Sequence, residues 1–254
     1  MDVGGYLDRI DYHGGGVVSA EALCALQLCH YKNVPYENLD ILAGKPLRLD
    51  SEGLYEKIVR RRRGGYCFEL NGAFGSLLRA MGFSVKDCMA RFLLNETEIP
   101  MRRHRVLKVE MPDGLFLSDV GIGSPSPVTP VFLETETEQK IGNEYYKVSH
   151  EPFFGTVIHQ RTDGEWKRFF SFTDEPQLDI DFIMPSFYCE NSPDSIFNKG
   201  CMVAILNDDG FKNGISGNTY TLRSKSGTVT GEFTDDENKK QFLSKYFKLE
   251  AEED

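Results

Sequence analysis

Residues 63–74 read Arg63-Gly64-Gly65-Tyr66-Cys67-Phe68-Glu69-Leu70-Asn71-Gly72-Ala73-Phe74. Two glycines before Cys67 can turn the chain sharply, and apolar residues then recur at roughly helical spacing. The pattern predicts that Cys67 lies in the first turn of a buried helix. Unpaired N–H groups and aligned peptide dipoles at such a position favour negative charge, so the pKa of the thiol is expected to fall. Cys67 is therefore a candidate nucleophile.

A nucleophilic cysteine needs a base and a group that orients the base. Two strand-like segments, 103–110 and 115–120, flank a four-residue turn. Pairing across that turn places His104 and Asp119 diagonally on one face of a sheet, about 7–8 Å apart at the backbone. Taken alone, His104 could also be a surface histidine on a strand, and Asp119 could be a turn-forming residue at the end of a strand. Together with Cys67 they predict a catalytic triad.

These segments resemble the motifs of the arylamine N-acetyltransferase family, including its N-hydroxyarylamine O-acetyltransferase members. Residues 63–72 are similar to the active-site cysteine motif of that family. His104 and the segment 118–123 resemble its histidine and aspartate motifs in order and spacing, and residues 33–40 resemble its proline, aromatic, Glu-Asn-Leu segment. The likeness covers about the first half of the chain well and the last third only in general layout.

The resemblance implies acetyl transfer through a cysteine thioester. Cys67, His104 and Asp119 would be catalytic, with His104 holding the thiol proton and Asp119 fixing the imidazole tautomer. The expected partners are acetyl-CoA, as a cosubstrate, and a small aromatic amine, hydrazine or N-hydroxyarylamine as acceptor. The physiological acceptor, the preferred acyl chain length and the choice between monomer and homo-oligomer stay open.

A glycine-containing loop follows Asp119. Gly121, Gly123 and Ser124 match the loop that lies near the acetyl donor in the resembled family, and small residues there would let a ligand approach the backbone. A simple turn at the end of a strand is the alternative. Ile122 stands where the family commonly has an aromatic residue, a difference that could reshape the acceptor pocket.

Two further residues are expected at the substrate. Phe68, beside the nucleophile, could offer a flat apolar face to an aromatic amine, and its N–H group is a candidate for an oxyanion hole together with the strand that carries His104. Arg103 matches a position that lines the substrate cleft in the resembled family. A packed helix start and a surface strand arginine are the respective alternatives.

Hydrophobic periodicity divides the chain into three parts. Helical patterns occupy residues 1–83, strand-like runs residues 84–176, and a mixture residues 177–254. We therefore predict an α+β protein with an N-terminal helical bundle, a central antiparallel β-meander and a C-terminal α/β lobe. The resemblance implies a cysteine-proteinase-like core in which the bundle supplies the cysteine, a β-barrel supplies the histidine and aspartate, and the third lobe acts as a lid. Residues 250–254 are expected to be disordered.

Several local signals mark the ends of the predicted elements. Ser19 and Ser51 are expected N-caps, Thr234 with Glu237 forms a capping-box pattern, and Gly82 stands near a helix C-terminus. The proline-rich segment 124–130 is predicted to be a surface loop because proline cannot take part in a central strand.

Composition limits the classes of function. The 254 residues are 40% hydrophobic, and no window approaches a membrane-spanning length of apolar residues. No signal peptide pattern is present, so a cytoplasmic location is expected. A net charge of −10 argues against nucleic-acid binding. The six cysteines show no CxxC pair, which predicts reduced thiols and no metal.

The run of four arginines at residues 60–63 has two interpretations. It can be the solvated, positively charged end of the helix predicted over residues 51–62. Alternatively, one or two of these arginines lie near the phosphates of bound acetyl-CoA.

Two other classes of protein share the order cysteine, histidine, aspartate. A papain-like or transglutaminase-like enzyme also forms a thioester and would act on peptide substrates. A binding or scaffold protein that kept the lobes without the chemistry is the second alternative.

Overall fold

The computed structural model describes residues 1–250, so residues 251–254 of the predicted disordered tail lie outside the described part. The helices of the described chain are α1 (Val3–Arg9), α2 (Ala20–Asn33), α3 (Leu39–Leu42), α4 (Ser51–Tyr55), α5 (Cys67–Ala80), α6 (Ile183–Asn191) and α7 (Asp236–Phe247). A π-helical turn, Glu56–Arg60, continues α4, and short 3-10 helices span Asp179–Phe182 and Ile196–Asn198.

Polar side chains cap four of these helices, including α1, where Asp2 accepts the backbone N–H of Gly5. Ser19 caps α2 as predicted, because its side chain accepts a backbone N–H of the first turn. The predicted caps Ser51 and Thr234 are wrong by one residue. Asp50 caps α4 and Asp235 caps α7, each accepting a first-turn N–H. In both cases a carboxylate, which is the stronger acceptor, lies next to the hydroxyl and takes the N–H group.

Strands form two antiparallel sheets. The strands are β1 (Tyr36–Glu37), β2 (Ser84–Phe92), β3 (His104–Met111), β4 (Gly114–Ser118), β5 (Val131–Phe132), β6 (Gln139–Ile141), β7 (Glu144–Glu151), β8 (Gly155–Thr162), β9 (Glu165–Phe172), β10 (Met202–Leu206), β11 (Lys212–Ser216), β12 (Thr219–Ser224) and β13 (Gly227–Glu232). The larger sheet has the order β5-β4-β3-β2-β9-β8-β7-β6 and is curved into a nearly closed barrel. The smaller has the order β1-β10-β11-β12-β13.

The hairpin that positions the candidate histidine and aspartate pairs in the predicted register. Leu107 lies opposite Ser118, so the chain leaves β4 directly into Asp119. β1, β5, β6 and β11 were not predicted. The first three have only two or three residues, too few to show alternation, and β11 contains asparagine and glycine, which are depleted in strands.

The predicted α+β class with three lobes is confirmed. The N-terminal lobe also contributes a strand to the C-terminal sheet, because β1 pairs with β10 through Tyr36 and Ala204. This crossing ties the helical bundle to the last third of the chain. The lobe boundaries at residues 83/84 and 176/177 stay a prediction.

The hydrophobic core is shared between the lobes. Apolar residues of α1, α2 and α5 pack in one buried cluster with Leu107 and Val109 of β3, while the barrel encloses a second cluster around Phe169 and Phe170. The bundle therefore rests directly on the strand that carries His104.

The segment 124–130 contains no strand, but it is not simply a surface loop. Ser126, Pro127 and Pro130 are buried. The Pro127 carbonyl accepts a hydrogen bond from Gln27 of α2 at 3.0 Å, which fastens the loop to the helical lobe. The prediction of a surface loop is wrong for these three residues, and the Pro127 carbonyl and the Ser126 hydroxyl both find partners inside the protein.

Some general features of the described chain bear on the composition argument. Among residues 1–250, no helix has the length and apolar character that a membrane crossing requires. In the same residues, no three His, Cys, Asp or Glu side chains are grouped so that they could hold a metal ion. All six cysteines are free. The cytoplasmic location stays a prediction.

His30 makes the stability of the helical lobe depend on pH. Its ring is fully buried on α2, where Nε2 lies 3.1 Å from the hydroxyl of Tyr6 and Nδ1 has no partner among the described residues. Burial, with a smaller effect of Arg9, lowers its pKa to about 3. Below pH 6.5 the unfolded chain takes up a proton that the folded chain refuses, so stability falls as pH falls through this range.

We expect His30→Gln to flatten this dependence by about 1 kcal/mol per pH unit between pH 6 and 4, since one differential proton is worth about 1.4 kcal/mol per unit. Urea unfolding at several pH values measures the slope. His13→Gln, on an exposed histidine, is the control and should keep the wild-type slope. Equal slopes in wild type and His30→Gln would contradict the explanation.

Candidate active site

Cys67 is the first residue of α5, as predicted, and buried charges hold it there. The Glu69 side chain accepts the backbone N–H of Tyr66 at 3.2 Å, which caps the helix. Lys57 pairs with Glu69 and with Asp40, both at 2.7 Å. At the other end Gly82 has a φ of +95°, which confirms the predicted position of a glycine just after the helix.

The four arginines 60–63 do not reach the cleft. Arg63 is buried and pairs with Glu37 at 3.2 Å and Asp40 at 3.4 Å, so it joins the buried network that supports α5. The other three are exposed at the end of the π-helical turn. None of the four lines the cavity at Cys67, which favours the helix-end interpretation over the phosphate-binding one.

His104 and Asp119 are in direct contact. Nε2 of His104 lies 2.6 Å from Oδ2 of Asp119, whose carboxylate is fully buried. The other carboxylate oxygen accepts the side-chain amide of Asn71 and the backbone N–H of Gly121, each at 2.8 Å. Because Asn71 and Gly121 both donate to it, the carboxylate is held as an acceptor, and its second oxygen favours the tautomer of His104 that has the proton on Nε2. Nδ1 is then the nitrogen left for a second partner.

The thiol of Cys67 is buried in an apolar environment. The residue is 3% exposed, and its Sγ lies 3.8 Å from the carbonyl oxygen of Arg103. Burial raises the pKa of the Cys67 thiol well above its ordinary value, although the backbone N–H groups of Arg105 and Phe68 favour the charged form. This direction is opposite to the expectation from the helix start, because desolvation outweighs the dipole. A thiolate here needs a positive partner.

Cys67 and His104 line one cavity of about 690 Å³. Five of the predicted ligand-contacting residues also line this cavity: Arg103, Gly121, Ile122, Gly123 and Ser124. The structure thus brings the cysteine, the histidine and the glycine-containing loop to a single cleft, with Asp119 directly behind them.

The ring of Phe68 packs among aromatic residues beside the nucleophile. Its side chain is fully buried and packs edge-on against Tyr66, with ring centroids 5.4 Å apart, and beside Phe182 at 5.8 Å. It does not line the cavity. Packing against the C-terminal lobe accounts for an aromatic side chain at this position, and the contact between the Phe68 ring and an acceptor stays a prediction. The backbone N–H of Phe68 is directed at the Cys67 sulfur.

Sequence reasoning missed several residues around the cleft. Asn71, which orients Asp119, lies four residues after Cys67, so helical spacing could have shown that both face the same side. Tyr36 of β1 lines the cavity, and its position within the segment 33–40 was an available signal.

The far wall of the cavity comes from the C-terminal sheet and carried no signal in sequence. Residues of β10, β11 and β12 form it: Met202, Val203, Ala204, Gly214, Ile215, Ser216, Thr219, Thr221 and Arg223. Most are small or apolar residues of ordinary strands. Their place at the cleft depends on how the last lobe folds over the first two.

Comparison with known proteins places the chain among acetyltransferases. Residues 19–254 match the family model described as N-acetyltransferase. The chain is 38% identical over 215 residues to the arylamine N-acetyltransferase of Mycolicibacterium smegmatis, which is 82% of this chain and 78% of that protein. It is 34% identical over 208 residues to the arylamine N-acetyltransferase / N-hydroxyarylamine O-acetyltransferase of Salmonella typhimurium, 82% of this chain and 74% of that protein.

Solved structures agree in fold. The arylamine N-acetyltransferase from Salmonella typhimurium superposes with a TM-score of 0.93 at 31% identity, covering 97% of this chain and 90% of that one. The Mycobacterium marinum arylamine N-acetyltransferase in complex with CoA superposes with a TM-score of 0.90 at 32% identity, covering 97% of this chain and 92% of that one.

Proposed function

The chain belongs to the arylamine N-acetyltransferase family, and from that premise we propose that it transfers an acetyl group from acetyl-CoA to an arylamine, arylhydrazine or N-hydroxyarylamine through a thioester on Cys67. The observation that carries the proposal is the common cavity of Cys67 and His104, with Asp119 bonded behind the imidazole. A relative solved in complex with CoA supports the donor.

In the first half-reaction His104 takes the proton of the Cys67 thiol on Nδ1, while Asp119 holds Nε2–H and stabilises the imidazolium. This transfer gives the buried thiolate the positive partner that its desolvation demands. The sulfur attacks the carbonyl carbon of the acetyl thioester, and the carbon–sulfur bond to CoA then breaks. The CoA sulfur leaves with the proton returned by His104.

In the second half-reaction the amine nitrogen attacks the acetyl group on Cys67. His104 accepts the proton that the nitrogen loses, and the sulfur leaves as the amide forms. The N–H groups of Phe68 and Arg105, which face the sulfur, are our candidates for stabilising the oxyanion in both steps. Two displacements through one covalent intermediate predict ping-pong kinetics.

Different residues around the cleft are proposed to contact the acetyl donor and the acceptor. We propose that Gly121, Gly123 and Ser124 accept the acetyl donor, because their lack of bulk leaves the loop backbone accessible. Arg103 and Ile122 are proposed to line the acceptor side. An isoleucine is narrower than an aromatic ring, so acceptors larger than a single ring are expected to fit.

The experiment that tests this function separates the half-reactions. Purified protein is incubated with acetyl-CoA alone, and the intact mass is expected to rise by one acetyl group, localised to the Cys67 peptide. Addition of an arylamine should then remove the group and release the acetamide. Cys67→Ser is the matched control because it keeps the size of the side chain but is a far weaker nucleophile.

The alternatives give different results in the same experiment. A protein without the chemistry gains no acetyl group. A papain-like or transglutaminase-like enzyme would leave acetyl-CoA intact and would turn over a peptide or glutamine substrate. Either result would overturn the proposed function.

The proton transfer to His104 predicts an unusual pH dependence of alkylation. In the wild-type protein we expect iodoacetamide to modify Cys67 well below pH 8.5, about the pKa of a free cysteine, because the thiolate is stabilised by the imidazolium. In His104→Gln this partner is lost, and burial alone keeps the pKa of Cys67 high. A raised pKa leaves less thiolate near neutrality, so the alkylation profile should move to higher pH.

Mass spectrometry of the Cys67 peptide between pH 5 and 10 measures both profiles. Cys88, which is also buried but lies outside the cleft, is an internal control within each sample, since its modification should not respond to His104→Gln. Coinciding profiles for Cys67 in the two proteins would show that His104 does not activate the thiol.

A further inference from the structure

Lys212, the first residue of β11, carries a buried amine behind the active-site loop. The residue is 8% exposed. Its Nζ donates to the carbonyl oxygen of Ile122 at 3.0 Å and to the hydroxyl of Ser126, and it stands 3.8 Å from the ring centroid of Tyr31. Among the described residues it forms no ion pair with a carboxylate. Lys212 does not itself line the cavity.

Such a position is costly for the folded protein. Moving an ammonium group out of water without a carboxylate partner is unfavourable, and burial lowers the pKa of Lys212 well below its usual value, with Asp119 opposing that effect. A carbonyl, a hydroxyl and an aromatic face recover part of the cost. An apolar side chain of similar length would avoid it. A stabilising role alone therefore does not explain a lysine here.

The contacts of Lys212 link its amine to the loop that follows Asp119. Ile122 lies between Gly121 and Gly123, both of which line the cavity, so a bond to its carbonyl fixes the peptide planes of the loop from the side away from the cleft. Tyr31, whose ring faces the amine, donates its hydroxyl to the carbonyl oxygen of Asp119 at 2.8 Å. Helix α2, the loop and the C-terminal sheet thus meet at one nitrogen atom.

We propose that Lys212 is a positioning residue for the acetyl donor: by holding the Ile122 carbonyl and Ser126, it keeps the loop 121–124 in the conformation that accepts the donor thioester. The proposal rests on the proposed function. Glycine residues at 121 and 123 make this loop intrinsically free in its backbone, so a fastening point outside the cavity is needed to select one conformation.

Lys212→Met, which keeps about the length of the side chain without its N–H donors, tests the proposal. We expect kcat/KM for acetyl-CoA to fall about tenfold, because the competent loop conformation becomes a minor one, while kcat/KM for the arylamine changes less than about twofold. A merely structural role would reduce the amount of folded enzyme and would lower both ratios by the same factor. Thermal unfolding followed in parallel reports the folded fraction.

Ser126→Ala provides a second variant that keeps the buried amine. It removes one of the two oxygen atoms that accept a hydrogen bond from Lys212. We therefore expect a smaller loss, about threefold, and only in kcat/KM for acetyl-CoA. The double variant should resemble Lys212→Met, since the two residues act through one contact. Lys225→Met, on an exposed lysine with a side chain 79% accessible, is the control and should keep wild-type kinetics.

The outcomes distinguish this inference from the function on which it rests. A wild-type protein that does not react with acetyl-CoA would overturn the proposed function. If the wild-type protein reacts but the variants lower kcat/KM for acetyl-CoA and for the arylamine by the same factor, the role of Lys212 is overturned. The same holds if the variants lower neither kcat/KM value.

Discussion

Replacing Asp119 with asparagine is expected to lower kcat by about 10³- to 10⁴-fold while the protein stays folded, the size of loss seen when an orienting carboxylate of a catalytic triad is made neutral. The substitution keeps the shape of the side chain. Its oxygen can still accept the N–H groups of Asn71 and Gly121, so most of the buried contacts survive. Steady-state kinetics with acetyl-CoA and an arylamine measure the effect.

The reason lies in the direction of one hydrogen bond. In the native protein Nε2–H of His104 donates to Asp119 across 2.6 Å. An asparagine amide in that place offers a donor, which forces Nε2 to accept and moves the ring proton to Nδ1. A protonated Nδ1 on a neutral ring cannot take the proton from Cys67. The thiolate then loses its stabilising partner.

Asp113→Asn is the control for this variant. Asp113 lies in the exposed turn of the same hairpin, so the identical chemical change there should leave kcat within about twofold of the wild type, as for most surface substitutions. An Asp119→Asn enzyme with kcat within tenfold of the wild type would show that the carboxylate does not set the imidazole tautomer.

Gly121→Ala is expected to damage both activity and stability. A Cβ atom at this position would lie 2.6 Å from the Cα of Cys67 and 2.6 Å from the side-chain amide nitrogen (Nδ2) of Asn71. Neither neighbour can yield easily, because both belong to the buried helix α5. Overpacking of this kind costs about 1–3 kcal/mol, and a displacement of about 1 Å at a reacting group can cost about 10²-fold in rate.

We therefore expect kcat/KM to fall at least about 10²-fold in Gly121→Ala, with a Tm lower by roughly 2–4 °C for each kcal/mol lost. Gly200→Ala is the matched control. A Cβ at Gly200 would meet its nearest neighbour, the Cα of Gly217, at an ordinary 3.5 Å. Wild-type activity and Tm in Gly121→Ala would mean that the loop can withdraw from Cys67 without consequence.

The segments of the proposed catalytic triad were predictable because their signals are local. The glycine pair before Cys67 and the helical spacing after it predicted the start of α5, and the turn between β3 and β4 predicted the pairing that brings His104 to Asp119. The errors in predicting local structure were small. Asp50 in place of Ser51 as a cap shows that two adjacent capping residues cannot be ranked without knowing which side chain faces the first turn.

Other failures came from contacts between distant parts of the chain. The packing of the Phe68 ring beside Phe182 of the C-terminal lobe could not be predicted, because the two residues are far apart in the chain. The rise in the pKa of Cys67 is of the same kind, since the number of atoms that exclude water from the thiol is a property of the assembled lobes.

The amino-acid sequence by itself determined most of the helices and strands, the α+β class and the segments that supply sulfur, imidazole and carboxylate, because periodicity and turn chemistry act over a few residues. Only the tertiary structure decided that β10–β12 close the far side of the cleft, that Asn71 and Gly121 orient Asp119, and that Lys212 stands behind the loop. The contact of Lys212 with Ile122, for example, joins residues 90 positions apart. Long-range packing, which leaves no periodic trace in either partner, brings them together.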